Sequence, residues 1–258
     1  MSSRCRILLL PLLTLFALVG AQSASALMTH PDAYGLNFSF TGIQEATSSG
    51  DIEPLFGPGS ASGDQLSFTP TAAYNASASG AFGYDTTASN LQVIITATGI
   101  GATIEDVLID EYGNSTLNGT GTAGTGTFAA MAGYLTITHT TGGAITPVVI
   151  GFNAGGGPNG SFSPAALGLT GLALPGNAGV TPWSGNVAID VASIVANATR
   201  AVLTLDNDLY AYSEDGTDAT LTKNSVVVSV VPEPGTLALL GGGLLALAIR
   251  GRGRSQRA

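Results

Sequence analysis

The sequence predicts an all-β protein, a β-sandwich of jelly-roll style with one or two short helices, and three observations lead there. Eight short segments alternate in polarity or are rich in β-branched residues: 36–40, 65–69, 91–98, 134–139, 147–152, 201–205, 219–223 and 226–230. That is the pattern of strands with one buried face. Glycine-rich turn signals separate them, at Gly57-Pro58-Gly59, Thr141-Gly142-Gly143, Gly155-Gly156-Gly157-Pro158 and Asp215-Gly216. Glycine supplies 36 of the 258 residues, about twice its usual ~7% share. Hydrophobic residues still make up 45% of the chain, enough for a core.

One segment reads differently. Ile104, Val107, Leu108 and Tyr112 fall at helical spacing, with Thr103 and Asp106 placed for a capping arrangement and Gly113 for a C-terminal stop. The expectation is a short amphipathic helix. A strand would put Asp106 and Asp110 on the face of Leu108, which is costly unless that face is wet. A second helical turn is expected over 190–196, with Asp190 as N-cap. The run 119–127, Gly-Thr-Gly-Thr-Ala-Gly-Thr-Gly-Thr, is expected to be an exposed, mobile loop.

The two ends divide the chain into 1–26, 27–231 and 232–258. Arg4 and Arg6, an apolar stretch over 7–19, and Ala24-Ser25-Ala26 have the order of a secretory signal peptide with its helix and cleavage site. The one cysteine, Cys5, lies ahead of that site. The exported body therefore has no disulfide and must rest on packing or on bound ions. At the other end, Pro232, Glu233 and Pro234 precede an apolar run over 236–249, and Arg250, Arg252, Arg254 and Arg257 follow it. Fourteen residues make roughly 21 Å of helix. A bilayer core is about 30 Å thick, so this hydrophobic helix is a marginal membrane anchor. The arginines are its topological stop, held on the cytoplasmic side.

Tripeptide, apolar run and basic end, together with the leader, resemble the PEP-CTERM sorting signal of Gram-negative, biofilm-forming bacteria. The resemblance covers about a tenth of the chain. It implies recognition of Pro232, Glu233 and Pro234 by an exosortase, an integral-membrane cysteine protease and transpeptidase. Delivery to the cell surface or exterior, and association with exopolysaccharide, follow from it as expectations. The stretch 201–234 also resembles the closing β-hairpin that precedes this signal in many such proteins.

Charge narrows the functions open to the body. The formal charge of −9 includes two arginines in the leader and four arginines against one glutamate in the tail, which leaves −14 between them. Only Arg200 and Lys223 are basic there. Such a surface repels phosphates, so nucleic-acid binding is not expected.

Catalytic signals are weak. The body offers His30 and His139, no cysteine and no Gly-x-Ser-x-Gly elbow. His30 sits beside the cleavage site, where disorder is usual, and His139 reads as a strand-end surface residue. Gly119, Gly121 and Gly124 match a dinucleotide fingerprint only in spacing, inside a Gly/Thr repeat. Glu105, Asp106, Asp110 and Glu111 could supply a glycosidase pair, or a solvated face. Asp206, Asp208, Asp215 and Asp218 admit calcium if a hairpin brings their loops together; ordinary Asx turns are the alternative. Six Asn-x-Ser/Thr sites, at Asn37, Asn75, Asn114, Asn118, Asn159 and Asn197, are what so Asn-, Ser- and Thr-rich a chain yields by chance. The expectation is a non-enzymatic exported protein. Its alternatives are a carbohydrate-binding module using Trp183, Tyr210 and Tyr212, and a secreted glycoside hydrolase.

Overall fold

The computed structural model describes residues 27–47, 51, 54–72, 74–155 and 159–233. The signal-cleavage residues Ala24 and Ala26, Pro234, the apolar run 236–249 and the four terminal arginines lie outside the described residues. Among the described residues no helix is long and apolar enough to cross a membrane.

Among the described residues fifteen strands are formed: β1 (Leu27–Thr29), β2 (Ala33–Tyr34), β3 (Phe38–Thr47), β4 (Gly59–Ser62), β5 (Gln65–Phe68), β6 (Asn75–Ser79), β7 (Gly83–Ala97), β8 (Ile104–Asn118), β9 (Gly126–Thr140), β10 (Gly143–Asn153), β11 (Gly160–Ser163), β12 (Leu172–Ala173), β13 (Gly179–Asp190), β14 (Ala198–Ser213) and β15 (Asp218–Pro232). The one α-helix among the described residues, α1 (Ala166–Leu169), is a single turn between β11 and β12. The strands make two antiparallel sheets, β1-β3-β7-β14-β9-β10 and β11-β13-β8-β15-β5-β4; β2, β12 and β6 attach to β3, β9 and β15. The predicted sandwich is what forms.

Period-two alternation drives the packing. Leu91, Val93 and Ile95 on β7 and Leu203, Leu205 and Leu209 on β14 point inward from the first sheet. Val107, Ile109 and Leu117 on β8 and Leu221, Val226 and Val228 on β15 meet them from the second. In the connection between β3 and β4, Phe56 packs edge-on against Phe68 and Tyr74, at centroid distances of 5.7 and 5.2 Å.

The amphipathic helix expected around 104–112 is instead the start of β8. Val107, Ile109, Glu111, Gly113, Ser115 and Leu117 face inward, and Asp106, Leu108 and Asp110 face outward. A register shift against β15 at Glu105 brings Ile104 and Val107 to the same face, which imitates a helical interval. The expected helix at 190–196 is one turn: the Ser193 amide donates to Asp190 Oδ1 at 2.9 Å, without further helix. Segments 219–223 and 226–230 belong to one strand, β15, whose register shifts between Lys223 and Ser225.

The closing hairpin is also corrected. β14 and β15 follow each other through a tight turn, with the Thr217 amide donating to the Glu214 carbonyl, yet they lie in opposite sheets. The link is an arch across the sandwich.

Candidate functional site

The sorting segment begins inside the second sheet. Val230 and Val231 pair with Val107 and Asp106 of β8, and Pro232 lies opposite Ile104. The Val230 amide donates to the Asp64 carbonyl on the other side. Pro232 has no N–H to continue the ladder, so the strand ends there. Glu233 is then held by one residue from two directions: its amide donates to the Thr103 carbonyl at 3.2 Å, and Thr103 Oγ1 donates to its Oε2 at 2.8 Å. Thr103, read from sequence as a helix cap, instead caps the sorting motif.

The interior holds two polar clusters. Lys223 Nζ donates to Glu111 Oε2 at 2.7 Å and to Asn207 Oδ1 at 2.6 Å, and lies 4.8 Å from the centroid of the Tyr74 ring. Burial lowers the Lys223 ammonium below the usual lysine value, and the neighbouring Glu111 carboxylate opposes that shift. Burial, reinforced by Glu111, raises the Tyr74 phenol well above its ordinary value. Glu111 Oε1 and Asn207 Nδ2 make no hydrogen bond among the described residues.

The second cluster centres on Glu45, which is fully buried. Its Oε1 accepts from the Leu55 amide at 2.6 Å and the Phe56 amide at 3.1 Å, and its Oε2 meets His30 Nε2 at 3.0 Å. His30 is buried and ordered by that pair, which corrects the expectation of disorder beside the cleavage site. Both clusters serve as cross-links in a disulfide-free sandwich.

The Gly/Thr run is anchored at its far end as well, against the expectation of a mobile loop. Thr125 and Thr127 are fully buried, and Thr125 Oγ1 meets Thr217 Oγ1. The Thr122 amide and hydroxyl both donate to the Glu214 carboxylate. A Cβ at Gly121 would stand 2.5 Å from Glu214 Oε1, so the glycine lets the backbone wrap that carboxylate. Gly124 approaches the same carboxylate, a Cβ there standing 2.9 Å from Glu214 Oε2.

The four candidate calcium ligands are not gathered. Asp206 and Asp208 lie within β14, Asp215 sits in the turn after it, and Asp218 opens β15 and accepts from Ser79 Oγ. From Asp206 to Ser213, where β14 ends, is roughly 23 Å of extended strand at ~3.3 Å per residue. Among the described residues no group of three or more His, Cys, Asp or Glu could hold a metal ion, so these residues do not fit a calcium site. Of the glycosidase candidates, Glu111 is consumed by Lys223, and burial raises the Asp110 carboxyl. Asp106 stands directly opposite Asp190 in the register of β8 and β13.

Trp183 is not an exposed sugar platform. It is 3% exposed, tilted against Phe162 at a centroid distance of 6.1 Å, and donates from Nε1 to the Thr222 carbonyl. Gly113 makes room for it, since a Cβ there would lie 2.5 Å from the indole. Tyr210 and Tyr212 do face outward, from β14, and their neighbours across the sheet were not foreseen. Tyr210 pairs in register with Thr86 and Phe128, and Tyr212 with Tyr84 and Gly126. Further along the same face, Asp206 pairs with Asn90 and Ala132, and Thr204 with Gln92 and Tyr134. Outward alternation on β9, Phe128-x-Ala130-x-Ala132-x-Tyr134, is the sequence signal that could have found this face.

No curated protein matches this sequence. Among solved structures, a loop-swap mutant of Necallimastix patriciarum Xyn11A aligns at 11% identity over 81% of this chain and all of its own, with a TM-score of 0.23. The family 11 xylanase from Neocallimastix patriciarum gives the same identity and coverage with a TM-score of 0.21. Likeness at that level carries no inference about either chain's activity. The C-terminal signal is another matter. Residues 230–253, starting in the last strand and running through Pro232-Glu233-Pro234, match the family model described as the PEP-CTERM protein-sorting motif, and the chain is therefore a PEP-CTERM motif-bearing protein, exported and sorted through its C-terminus.

Proposed function

We propose that this is a non-enzymatic surface or matrix protein, held in the inner membrane by its C-terminal segment until an exosortase processes it, and then working in the extracellular polysaccharide of a biofilm. The match to the sorting motif at 230–253 carries the reading. The sandwich supports it physically: its inward acids, Glu45 and Glu111, are committed to structural pairs, and it folds without cysteine. A body with a charge of −14 stays soluble beside neutral glycans and away from nucleic acid.

One observation favours a second reading, a secreted hydrolase. Asp206 and Asp208 lie two residues apart on the outer face of β14, which places them about 7 Å apart, within the ~5–10 Å used by glycosidase carboxyl pairs. The two readings separate on an assay of reducing-end release from neutral polysaccharides. The matrix-protein reading expects none above a buffer blank. Release that disappears in Asp206→Asn would establish the hydrolase. The sorting half is tested by deleting residues 234–258: the product should leave the membrane fraction without exosortase, whereas continued membrane retention would contradict it.

A further inference from the structure

We infer that the outer face of the first sheet, between Tyr134 and Tyr210, is a binding trough for a neutral polysaccharide strand. The inference rests on the matrix-protein reading only for the source of the ligand; the trough itself is read from the strand register.

Three adjacent strands build it. β9 presents Phe128, Ala130, Ala132 and Tyr134 in sequence on one face, and β14 presents Tyr210, Asp208, Asp206 and Thr204 alongside them. β7 completes the floor with Ala88 opposite Asp208 and Asn90 opposite Asp206. Aromatic rings therefore stand at both ends, with small residues and hydrogen-bonding groups between. From Phe128 to Tyr134 is six residues, or roughly 20 Å of strand, long enough for several sugar rings in a row.

The Tyr134 end is a concavity of about 480 Å³, lined among others by Asn90, Tyr134, Asn153, Thr204 and Asp206. Tyr134 is 48% exposed, and a Cβ on Gly151, directly across from it on β10, would meet nothing within 4 Å. At the other end, the Phe128 and Tyr210 rings lie 5.7 Å apart, and Tyr84 is 65% exposed. Tyr210 is fixed by donating its hydroxyl to Asp208 Oδ2 at 3.2 Å.

This layout fits a carbohydrate better than other ligands. Pyranose rings offer a C–H face that packs on an aromatic π surface, and equatorial hydroxyls that planar amides and carboxylates can bind in pairs. Asn90, Asn153 and Asp206 supply such planar groups. Asp206 and Asp208 place negative charge in the trough, so a uronate, sulfate or phosphate polymer is repelled. Among the described residues the two basic side chains lie off this face: Lys223, which feels the Asp208 charge, is buried, and the Arg200 guanidinium donates to Thr138 Oγ1. The occupant is a neutral glycan.

The test is affinity electrophoresis of the full chain in native gels containing soluble neutral glucan, mannan or galactan, with alginate as an anionic control. At least one neutral polymer should retard the wild-type chain, and alginate should not. Tyr134→Ala should weaken retardation at least tenfold. Gly151→Leu is the second variant: a Cβ there meets nothing within 4 Å and Gly151 lines the concavity, so the larger side chain should obstruct it and weaken retardation as well. No retardation by any neutral polymer, retardation by alginate alone, or binding that survives both substitutions would overturn the proposal. Self-association lost in both variants without glycan binding would overturn it too, by making a second copy the occupant. The sorting reading is untouched by these outcomes, because the chain's terminus is measured separately.

Discussion

Thr103 Oγ1 lies 2.8 Å from Glu233 Oε2, and its carbonyl receives the Glu233 amide, so the residue just ahead of β8 holds the middle of the sorting motif against the sheet. A membrane protease that reads this motif in extended form must compete with that clamp. Thr103→Val keeps the shape and removes the hydroxyl donor. Amide exchange at Glu233 should accelerate several-fold, in keeping with the loss of one hydrogen bond, and processing in cells should quicken. Thr103→Ser should behave as wild type. An unchanged exchange rate in the valine variant would show that the clamp has no energetic role.

The pair of Lys223 and Glu111 gives a stability prediction. Both are buried, and removing one leaves the other's charge uncompensated. Glu111→Ala should cost about 3–5 kcal/mol, while replacing both by apolar residues of similar volume should cost far less. Urea denaturation of the single and double variants measures the difference. Losses that simply add, the double variant losing the sum of the two single ones, would mean that the charges do not interact in the folded state.

Trp183 is the lone tryptophan, so its environment can be read directly. Its fluorescence should be blue-shifted in the folded protein and resist soluble quenchers. Trp183→Ala should destabilise the sandwich by about 3–5 kcal/mol. Gly113→Ala, which drives a methyl into the indole and the Thr222 carbonyl, should be destabilising as well. A quencher-accessible tryptophan would return it to the surface.

Stability at alkaline pH should report on two tyrosines. Burial, first of all, raises both Tyr74 and Tyr210; Tyr210, aided by the Asp208 charge and hydrogen bond, is pushed up to about 12. In the unfolded chain these phenols ionise near pH 10. Above that the unfolded state holds fewer protons, so stability falls as pH rises through about 12. Lys223, lowered by burial, acts in the opposite sense below the ordinary lysine value of about 10.4, so the decline is read above it. Tyr74→Phe should flatten the decline in urea midpoint most, and the more exposed Tyr210→Phe less. A decline of unchanged slope in both would exclude these groups.

The legible parts of the fold were those in which side-chain character and burial agree. β7, β14 and the valine-rich half of β15 alternate apolar with polar, and the structure buries what the pattern offers. β8 was misread because its inward face carries Glu111, Gly113 and Ser115, none of which announces a core position. Each is satisfied by a distant partner: Lys223, Trp183 and Thr127. β13 could have been found, since Trp183, Gly185, Val187 and Ile189 alternate; Gly185 obscured the run. The arch between β14 and β15 uses the same Asp215-Gly216 turn that a hairpin would, so local chemistry cannot tell them apart. His30 and Glu45 are joined across fifteen residues, a distance at which sequence spacing carries no signal. The sorting end was legible because order of residue types, and not tertiary contact, defines it. The aromatic trough was half legible: Tyr210 was named, but its neighbours come from other strands.

The central claim is that the C-terminal segment is an address removed during delivery. Its most direct test is intact-mass measurement of the protein recovered from culture medium and from membranes of the same cells. The account predicts a membrane form that retains residues 236–257 and an external form that ends at or near Pro232-Glu233-Pro234. An external form with its terminal arginines still attached would contradict it.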